Sequence, residues 1–406
     1  MAESSADAAR FAEVFAAIAA GAVQRELDRE LAHDAVGALK RSGFTALRVP
    51  VEHGGSGCSL PEFFALLVDL ATADSNVAHL LRGHFAFVEI LLLKPESEYR
   101  SGWLRAIANG AIVGNAASET TGNSLADIQT TLQATDDRLL LNGTKYYSTG
   151  TLYSSHVYVA AARGTERVTC VVPTDAPGVT MLDDWDGFGQ RLTASGTTVF
   201  ENVEVDPLTV ANYSAGGASH LGAFFQLVLV SVAAGISAAV LADAVAFVQP
   251  RKRTYISANA AAPRDDPQVR AVIGELSALA FTGRALVGAA ADALARATEP
   301  RASGAAPADR TALLDAAEIA TYQAQVRVLD DALRAATLLF EVGGASATAR
   351  PAALDRHWRN ARTVASHNPA IYKYAQLGDW ELNGVGPTAM WERLWAVGPT
   401  TPAASA

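Results

Sequence analysis

The spacing of apolar residues predicts helices throughout the first part of the chain. Apolar side chains recur every third or fourth residue over residues 8–22 and 27–42, and again from Leu60. This period matches one face of an α-helix. Asp74-Ser75-Asn76 contains residues that favour helix N-caps, and it precedes another apolar helical stretch over residues 77–93. The pattern therefore predicts an N-terminal helical domain over residues 1–113.

Between residues 112 and 206 the pattern changes to alternation and short apolar runs. These runs are rich in β-branched residues and are separated by turn-forming residues, which is typical of β-strands. Asp136-Asp137 and Asn142-Gly143 have the composition of hairpin turns. We therefore predict an antiparallel sheet domain, either a small barrel or a sandwich, over residues 114–210.

Helical spacing returns after the strands and continues almost to the end of the chain, over residues 218–248, 267–296, 309–341 and around residue 356. The order of helices, strands and helices predicts a mainly α protein with a central β domain. The C-terminal helical bundle should cover residues 211–397, and residues 398–406 should form a disordered tail.

One apolar stretch raises the question of a membrane. Residues 221–242 contain no charged residue, and this length can cross a bilayer. The stretch is interrupted by Gln226, Ser231 and Ser237 and lacks an aromatic belt or a basic flank. A helix that is apolar all round can equally be buried inside a bundle or at a subunit interface. We predict burial, and no second membrane-spanning segment elsewhere.

Composition and charge narrow the class of protein. The chain has 406 residues, half of them hydrophobic, and a formal charge of −10 at pH 7. An acidic balance argues against general binding to nucleic acid. Cys58 and Cys170 are the only cysteines, too few for a disulfide framework or a zinc site. With no signal-peptide pattern at the start, we expect a cytoplasmic protein of two or three domains without a bound metal.

A row of arginines is the most unusual charge pattern. Arg356, Arg359 and Arg362 recur every third residue, so on a helix they share one face. In an acidic protein, a stripe of one sign suggests a bound anion such as phosphate. Arginines near a helix C-terminus also interact favourably with the helix dipole. Spacing alone does not separate these two explanations.

His367 follows this row and precedes a helix start signal. Asn368-Pro369 has the pattern of an N-cap followed by proline, and Asn383-Gly384 should end the helix. His367 would then lie outside a helix N-terminus and near arginines, which both disfavour a second positive charge. A neutral imidazole donates from one nitrogen and accepts at the other, which suits proton handling. The alternative is a histidine that only satisfies a chain turn.

Several motifs occur in the order seen in acyl-CoA dehydrogenases. They are Pro50-Val-Glu-His-Gly-Gly-Ser-Gly57, Leu141-Asn-Gly-Thr-Lys-Tyr-Tyr-Ser-Thr-Gly150, Val203-Glu-Val and Gly343-Gly344. The chain thus resembles that family, which implies an acyl-CoA dehydrogenase-like fold and assembly as a homotetramer. Where many dehydrogenases have a catalytic glutamate, this chain has Asn368, which is not a base.

Other motifs resemble the dibenzothiophene monooxygenase group more closely. They are Trp185-Asp-Gly-Phe-Gly-Gln-Arg-Leu-Thr-Ala-Ser-Gly, Phe340-Glu-Val-Gly-Gly-Ala-Ser-Ala-Thr, Leu354-Asp-Arg-His-Trp-Arg-Asn-Ala-Arg-Thr and Ser366-His-Asn-Pro. This resemblance implies a two-component flavin monooxygenase, in which a separate NAD(P)H-dependent reductase supplies FMNH2. Reaction with O2 would give a C4a-hydroperoxide that oxygenates sulfur, nitrogen or activated carbon in a small molecule. The alternatives are an FAD-containing acyl-CoA dehydrogenase-like oxidoreductase and a flavin-free helical binding or assembly protein.

The resemblance also implies roles for individual residues. His367 would hydrogen-bond the hydroperoxide beside Asn368, and Ser148 with Thr149 would approach flavin N5. His84 resembles a substrate-pocket histidine, although a histidine in an apolar helix is more often satisfied within the core. The implied catalytic residues are His367, Ser148, His84 and Asn115.

The implied flavin contacts extend over two domains. Residues 114–119 would line the flavin and lead into a lid over residues 120–129, and Arg253 or Arg264 would bind the phosphate with the amides near Gly344. The full set of implied contacts is Asn115, Ser118, Glu119, Ser148, Thr149, Arg253, Arg264, Gly344, Ala345, His367 and Asn368.

Overall fold

The N-terminal domain is helical, as predicted. The structure, a computed structural model, describes residues 2–121, 128–212, 218–298 and 307–389. The Asp74 carboxylate accepts a hydrogen bond from the Asn76 backbone N–H at 3.0 Å, so the predicted cap forms. The capped helix is interrupted at Leu81, which gives two helices where the apolar pattern suggested one. The helices are α1 (Ala2–Asp28), α2 (His33–Ser42), α3 (Leu60–Ala73), α4 (Ser75–Leu80), α5 (Arg82–Leu93) and α6 (Glu98–Ala108).

The central domain is one sheet with its own core. The strands lie in the order β6-β7-β3-β2-β4-β5-β8, and β1 pairs with β4. Leu132, Leu141, Val157 and Phe200 lie in the core of this sheet. Most pairs are antiparallel as predicted, but β1 and β2 both run parallel to β4. The strands are β1 (Val113–Ala116), β2 (Thr131–Thr135), β3 (Arg138–Lys145), β4 (His156–Arg163), β5 (Glu166–Pro173), β6 (Val179–Met181), β7 (Thr198–Glu204) and β8 (Ala211–Asn212).

One of the two predicted hairpin turns forms and the other does not. Asp136 has a φ of 54° and lies between β2 and β3, where a turn was expected. Asn142-Gly143 instead lies within β3, where the register with β7 shifts. Gly143 has a φ of 152°, and a Cβ there would lie 2.5 Å from the Thr130 hydroxyl oxygen. The glycine therefore permits a β-bulge packed closely against a neighbouring segment. An Asn-Gly pair suits such a bulge as well as it suits a hairpin turn.

The C-terminal domain is a bundle of long helices around α7. These helices are α7 (Leu221–Val248), α8 (Pro267–Thr298), α9 (Pro307–Leu338), α10 (Asp355–His367) and α11 (Ala370–Asn383). The apolar helix α7 packs against α3, α8 and α9, and Val232 near its middle is fully buried. The Ser231 and Ser237 hydroxyls donate to backbone carbonyls one turn earlier, so neither polar group is left without a partner. The predicted burial of α7 is therefore supplied by helices of its own chain.

The expectation of a single candidate membrane span was wrong. By length and composition alone, Ser75–Leu93 and Pro267–Thr298 also qualify beside Leu221–Val248. The most apolar windows of Ser75–Leu93 and Leu221–Val248 are each 78% buried in the chain, whereas that of Pro267–Thr298 is only 22% buried. The predicted tail over residues 398–406 and the central part of the predicted lid lie outside the described residues.

Candidate active site

One glutamine contacts both helical domains where they meet the β domain. Gln190 lies in the loop between β6 and β7, is 1% exposed and has a φ of 52°. Its backbone N–H donates to Asn360 Oδ1 of α10 at 2.6 Å, and its amide donates to Ser75 Oγ of α4 at 3.2 Å. A left-handed backbone is unfavourable for glutamine. These contacts hold it in place at the junction of three domains.

His79 on α4 completes the contacts of this glutamine. Its Nδ1 lies 3.2 Å from Gln190 Oε1. With the Gln190 amide oriented toward Ser75, Nδ1 carries the proton and Nε2 the lone pair. Nε2 is buried and has no hydrogen-bond partner among the described residues. Burial, with a contribution from the Arg82 charge, lowers the pKa of His79 to about 4. At neutral pH the protein therefore holds an unpartnered neutral acceptor here.

Ser148 supplies a second buried polar atom without a partner. Its side chain is almost fully buried, and its Oγ makes no hydrogen bond within the part of the chain that the structure describes. Gly150, two residues later, has a φ of 80° and lies directly against the Leu80 carbonyl at the end of α4. A Cβ at this position would collide with that carbonyl, so glycine is required for the contact. The Ser148 segment therefore packs on the same helix end that carries His79.

A series of hydroxyl groups links this segment to the glutamine. Thr149 Oγ1 lies 2.8 Å from Ser195 Oγ, which lies 2.8 Å from Thr193 Oγ1. Thr193 Oγ1 donates to the Gln190 backbone carbonyl at 2.8 Å. Because each hydroxyl both donates and accepts, the series fixes the orientation of the loop around Gln190.

His367 lies beside His79 but not at a helix N-terminus. It is the last residue of α10, and the following helix begins at Ala370, with Asn368 and Pro369 between them. The His367 and His79 ring centroids are 6.0 Å apart. His367 is an exposed residue, yet the surrounding protein desolvates its ring, and Arg82 and His79 add repulsion. These effects hold the pKa of His367 well below its usual range, so neutrality is supported for a reason different from the predicted one.

Two of the three arginines of the row are neutralised within the chain, and the third, Arg362, donates to Ser366 Oγ at 3.2 Å. Arg356 pairs with Asp243 of α7 at 2.6 Å, and Arg359 pairs with Glu26 of α1 at 2.7 Å. Arg359 also pairs with Asp355, one turn earlier on α10, at 2.8 Å. The anion-binding explanation is therefore not supported for Arg356 and Arg359. Asp243 and Glu26 are distant from the row in sequence, and this is why a local count of charges missed these two partners.

The comparisons with known proteins identify the family of this chain. Family models for acyl-CoA dehydrogenases match in three parts, the N-terminal domain over residues 4–111, the middle domain over 115–203 and the C-terminal domain over 227–370. Dibenzothiophene monooxygenase of Rhodococcus qingshengii is 30% identical over 365 residues, which cover 86% of each chain. The chain belongs to the dibenzothiophene monooxygenase group. The recognition made from the motifs and the acyl-CoA dehydrogenase-like fold are thus confirmed.

Two solved structures extend this family relationship. Methanesulfinate monooxygenase MsuC from Pseudomonas fluorescens superposes with a TM-score of 0.84 at 28% identity, covering 92% of this chain and 96% of that one. TdsC from Paenibacillus sp. A11-2, in complex with FMN and indole, gives a TM-score of 0.85 at 26% identity, covering 94% and 98%. The similarity extends over more than nine-tenths of the chain in both cases.

The residues at the junction of this monooxygenase fit a flavin. An isoalloxazine ring carries N–H donors and carbonyl acceptors along its edges. Ser148 Oγ and His79 Nε2 are a hydroxyl and a ring nitrogen that are buried without partners, and such groups are costly unless a ligand satisfies them. Asn115 of β1 lies near these two groups. It packs against Gly83 at the start of α5 so closely that a Cβ on Gly83 would lie 2.7 Å from the Asn115 Cβ. These groups could hold the edge of the ring.

Glu119 is engaged by the protein itself. Its Oε1 accepts from Lys145 Nζ at 2.6 Å and from the Thr130 N–H at 3.0 Å, and Oε2 accepts from the Gln129 N–H at 2.8 Å. Its neighbour Ser118 accepts from the Tyr146 backbone N–H at 3.0 Å through its carbonyl. Glu119 thus joins the two ends of the predicted lid. Because its carboxylate is occupied by these partners, only its backbone could contact a flavin.

His84 is placed apart from the junction residues by its hydrogen bonds. Its Nε2 lies 2.8 Å from the Thr45 carbonyl, and its Nδ1 accepts from the Val113 N–H at 3.3 Å. Burial lowers the pKa of His84 to about 4, so the ring is neutral and both nitrogens are occupied. This arrangement favours the structural role that was the alternative to a substrate-pocket role.

The residues expected at the phosphate lie on the surface of the single chain. Arg253 is exposed, and Arg264 is 66% exposed with Asp265 as its nearest carboxylate. Gly344 and Ala345 are exposed in a short turn after α9, where Gly344 has a φ of 53°. Arg251, which was not singled out, donates to the Gly343 carbonyl at 3.2 Å. None of these contacts tests which arginine binds phosphate.

Two residues of the junction were missed from the sequence. His79 lies in the same apolar helical stretch as His84, and no local pattern distinguishes them. Gln190 belongs to a motif that carried the family resemblance. Only the fold shows that it donates hydrogen bonds to Ser75 and Asn360, which are separated from it by 115 and 170 positions in the sequence. The left-handed backbone conformation of Gln190 also cannot be predicted from the sequence, because glutamine is not a residue that favours it.

Proposed function

We propose that this protein is the oxygenase component of a two-component system in the cytoplasm. A separate NAD(P)H-dependent reductase would supply FMNH2 by diffusion, and the substrate would be a small organosulfur compound. Overall, one atom of O2 enters the substrate and the other leaves as water, with FMNH2 providing two electrons. Bound reduced FMN supplies the oxygen-activating chemistry, and the protein supplies binding, orientation and protection from water.

The junction residues have complementary roles in this proposal. His367 and His79 are both neutral at pH 7, so a proton on His367 can be donated as a hydrogen bond without adding charge. Ser148 Oγ and the Asn115 amide bind the ring edge, and Thr149 orients Ser148 through its hydroxyl contacts. Asn368 donates to Gln226 Oε1 at 2.8 Å, which fixes the turn that carries His367. The phosphate is assigned to Arg253 or Arg264 and the turn at Gly344 and Ala345.

The observation that carries this proposal is the pair of buried, unpartnered atoms, Ser148 Oγ and His79 Nε2, at the point where Gln190 joins the three domains. A dehydrogenase using FAD is the second candidate. It needs a carboxylate to remove an α-proton, and the matching position holds Asn368, whose partner is another amide.

We also propose that the enzyme is a homotetramer. The apolar helix α8 leaves Phe281 75% exposed, and α11 leaves Ile371 70% exposed. Large exposed apolar surfaces are characteristic of interfaces between subunits. Light scattering or analytical ultracentrifugation should give four times the monomer mass.

The decisive experiment supplies FMNH2 and 18O2 to the purified protein with dibenzothiophene as a probe substrate. We expect one labelled oxygen atom in the product and the second in water. A protein that retains FAD through purification and reduces it with an acyl-CoA, without incorporating oxygen, would support the dehydrogenase instead. Benzenesulfinate, a smaller and anionic organosulfur compound, replaces dibenzothiophene if the uncharged probe does not bind.

A further inference from the structure

The cation at the end of α4 has no counter-charge in the described residues. Arg82 begins α5, three residues after His79, and is half-buried. Its Nε donates to the Phe225 carbonyl at 3.1 Å, and its guanidinium lies 5.1 Å from the centroid of the Phe225 ring. No carboxylate among residues 2–121, 128–212, 218–298 and 307–389 forms an ion pair with it. Its two terminal nitrogens remain available to a ligand.

Four other half-buried arginines around this junction are paired with carboxylates, whereas the half-buried Arg362 donates to Ser366 Oγ at 3.2 Å. Arg25 lies 2.8 Å from Asp74, Arg48 lies 2.7 Å from Glu89, and Arg356 and Arg359 pair with Asp243 and Glu26. A partly buried charge is unfavourable without a partner, which explains this regularity. Arg82 departs from it, although burial lowers its pKa only to about 10 and it remains a cation at pH 7.

Two histidines, His79 and His367, lie close to Arg82 and could also contact a bound ligand. The ring centroids of His79 and His367 are 6.0 Å apart, and the Arg82 charge contributes to lowering the pKa of both histidines. His79 Nε2 is buried without a partner. The site therefore combines one positive charge with two neutral imidazoles and leaves hydrogen-bonding capacity unused. Among the residues that the structure describes, no carboxylate that could balance the charge contacts Arg82, His79 or His367.

We propose that Arg82 binds an oxyanion of the substrate, so that the enzyme acts on a small organic sulfinate or carboxylate that contains sulfur. The guanidinium fork matches the two oxygens of either group. This inference rests on the proposed oxygenase function and names its substrate class. Because Arg82 lies beside His367, the bound anion would hold the rest of the substrate at the proposed site of oxygen transfer.

The test uses wild-type protein saturated with oxidised FMN, which binds probes without turnover. Benzenesulfinate and benzoate are the anionic probes, and methyl phenyl sulfoxide and benzamide are uncharged controls of similar shape. Calorimetry and the flavin absorption spectrum report binding. We expect each anion to bind at least about tenfold more tightly than its uncharged control, because a charge-assisted pair forms only with the anion.

Variants then locate the effect. Arg82→Gln should weaken anion binding about ten- to a hundredfold, change binding of the uncharged probes less than about threefold, and leave FMN affinity within about threefold. Arg82→Lys keeps the charge without the fork and should give an intermediate loss. Arg138→Gln, at an exposed position of β3, removes one positive charge elsewhere and should change none of these values.

The outcomes are separable. Equal affinities of wild-type protein for anions and uncharged controls would overturn the inference without any variant, even if Arg82→Gln failed to fold. A variant that loses FMN but retains the anions would assign Arg82 to the flavin, again against the inference. A wild-type protein that binds no FMN would contradict the proposed function itself, whatever the probes do.

Discussion

The buried ion pair between Lys145 and Glu119 offers the sharpest test of how the predicted lid is anchored. Lys145 has a fully buried side chain and Glu119 is 3% exposed. Glu119 also accepts hydrogen bonds from the N–H groups of Gln129 and Thr130 and from the Thr130 hydroxyl. Glu119→Gln would leave the Lys145 cation buried without a counter-charge. Removing one partner of a buried pair costs about 3–5 kcal/mol.

This cost can be converted into a change in melting temperature. The entropy of unfolding is about 2.1 cal/mol/K per residue, so a chain of 406 residues gives roughly 0.9 kcal/mol/K if it unfolds as one unit. The Glu119→Gln variant should therefore melt about 3–6 °C below wild type. A larger fall would mean that the β domain unfolds separately. Differential scanning calorimetry at pH 7 measures the change.

The matched control is the double variant Glu119→Gln with Lys145→Met, which removes the charge that the single variant leaves unpaired. It should recover at least half of the lost stability. Since the pKa of Glu119 is lowered on folding by Lys145 and the backbone N–H groups, despite the opposing effect of burial, its stabilisation is present above the unfolded pKa and is lost as pH falls through the folded one. A single variant as stable as wild type would refute this account of the pair.

Ser148→Ala should leave the melting temperature unchanged, because the hydroxyl has no partner, and should weaken FMN about fivefold for one lost hydrogen bond. His84→Ala should lower the free energy of unfolding by about 1–3 kcal/mol, since the Thr45 carbonyl and Val113 N–H lose their partner, with FMN affinity changed less than about threefold. Val232→Arg should greatly reduce soluble yield, because it places an unpaired charge at a fully buried position of α7. Stability should also fall as pH drops from about 6.5 to 4. The unfolded chain binds protons at histidines whose folded pKa is about 4, and His79 and His84 contribute up to about 3 kcal/mol each.

Each of these predictions has an outcome that contradicts it. Unchanged FMN affinity in Ser148→Ala would remove this serine from the flavin contacts. A tenfold loss of FMN affinity in His84→Ala at unchanged stability would return His84 to the site. A soluble Val232→Arg variant of normal stability would mean that α7 is less tightly packed than described. Urea midpoints that do not change between pH 6.5 and 4 would show that the two histidines titrate normally.

The sequence was sufficient for the order of domains because each element carries its own period. Helices such as α7 and hairpins such as the one at Asp136 are determined by neighbours within a few residues. Ser148 was found through a family motif, and its buried hydroxyl agrees with that assignment without testing it. The contacts of the arginine row were not found, because Asp243 and Glu26 lie more than a hundred positions away from it.

Local patterns were also ambiguous where one composition serves two purposes. Asn142-Gly143 has the composition of a turn and forms a bulge, since both need the conformational freedom of glycine. Asn368-Pro369 marked a helix start, but the residue before it, His367, proved to be the end of the preceding helix. His79 and His84 are alike in sequence, and only tertiary hydrogen bonds separate a satisfied nitrogen from one that lacks a partner.

Gln190 sets a rule for recombining this protein with its relatives. Its hydrogen bonds reach Ser75 and His79 in one domain and Asn360 in another, while its own backbone belongs to the third. A chimera that takes its middle domain from another parent inherits a loop shaped for that parent's helices. Such exchanges should succeed when the partners of position 190 are transferred with it. Crossover points are therefore better chosen by this set of contacts than by domain boundaries.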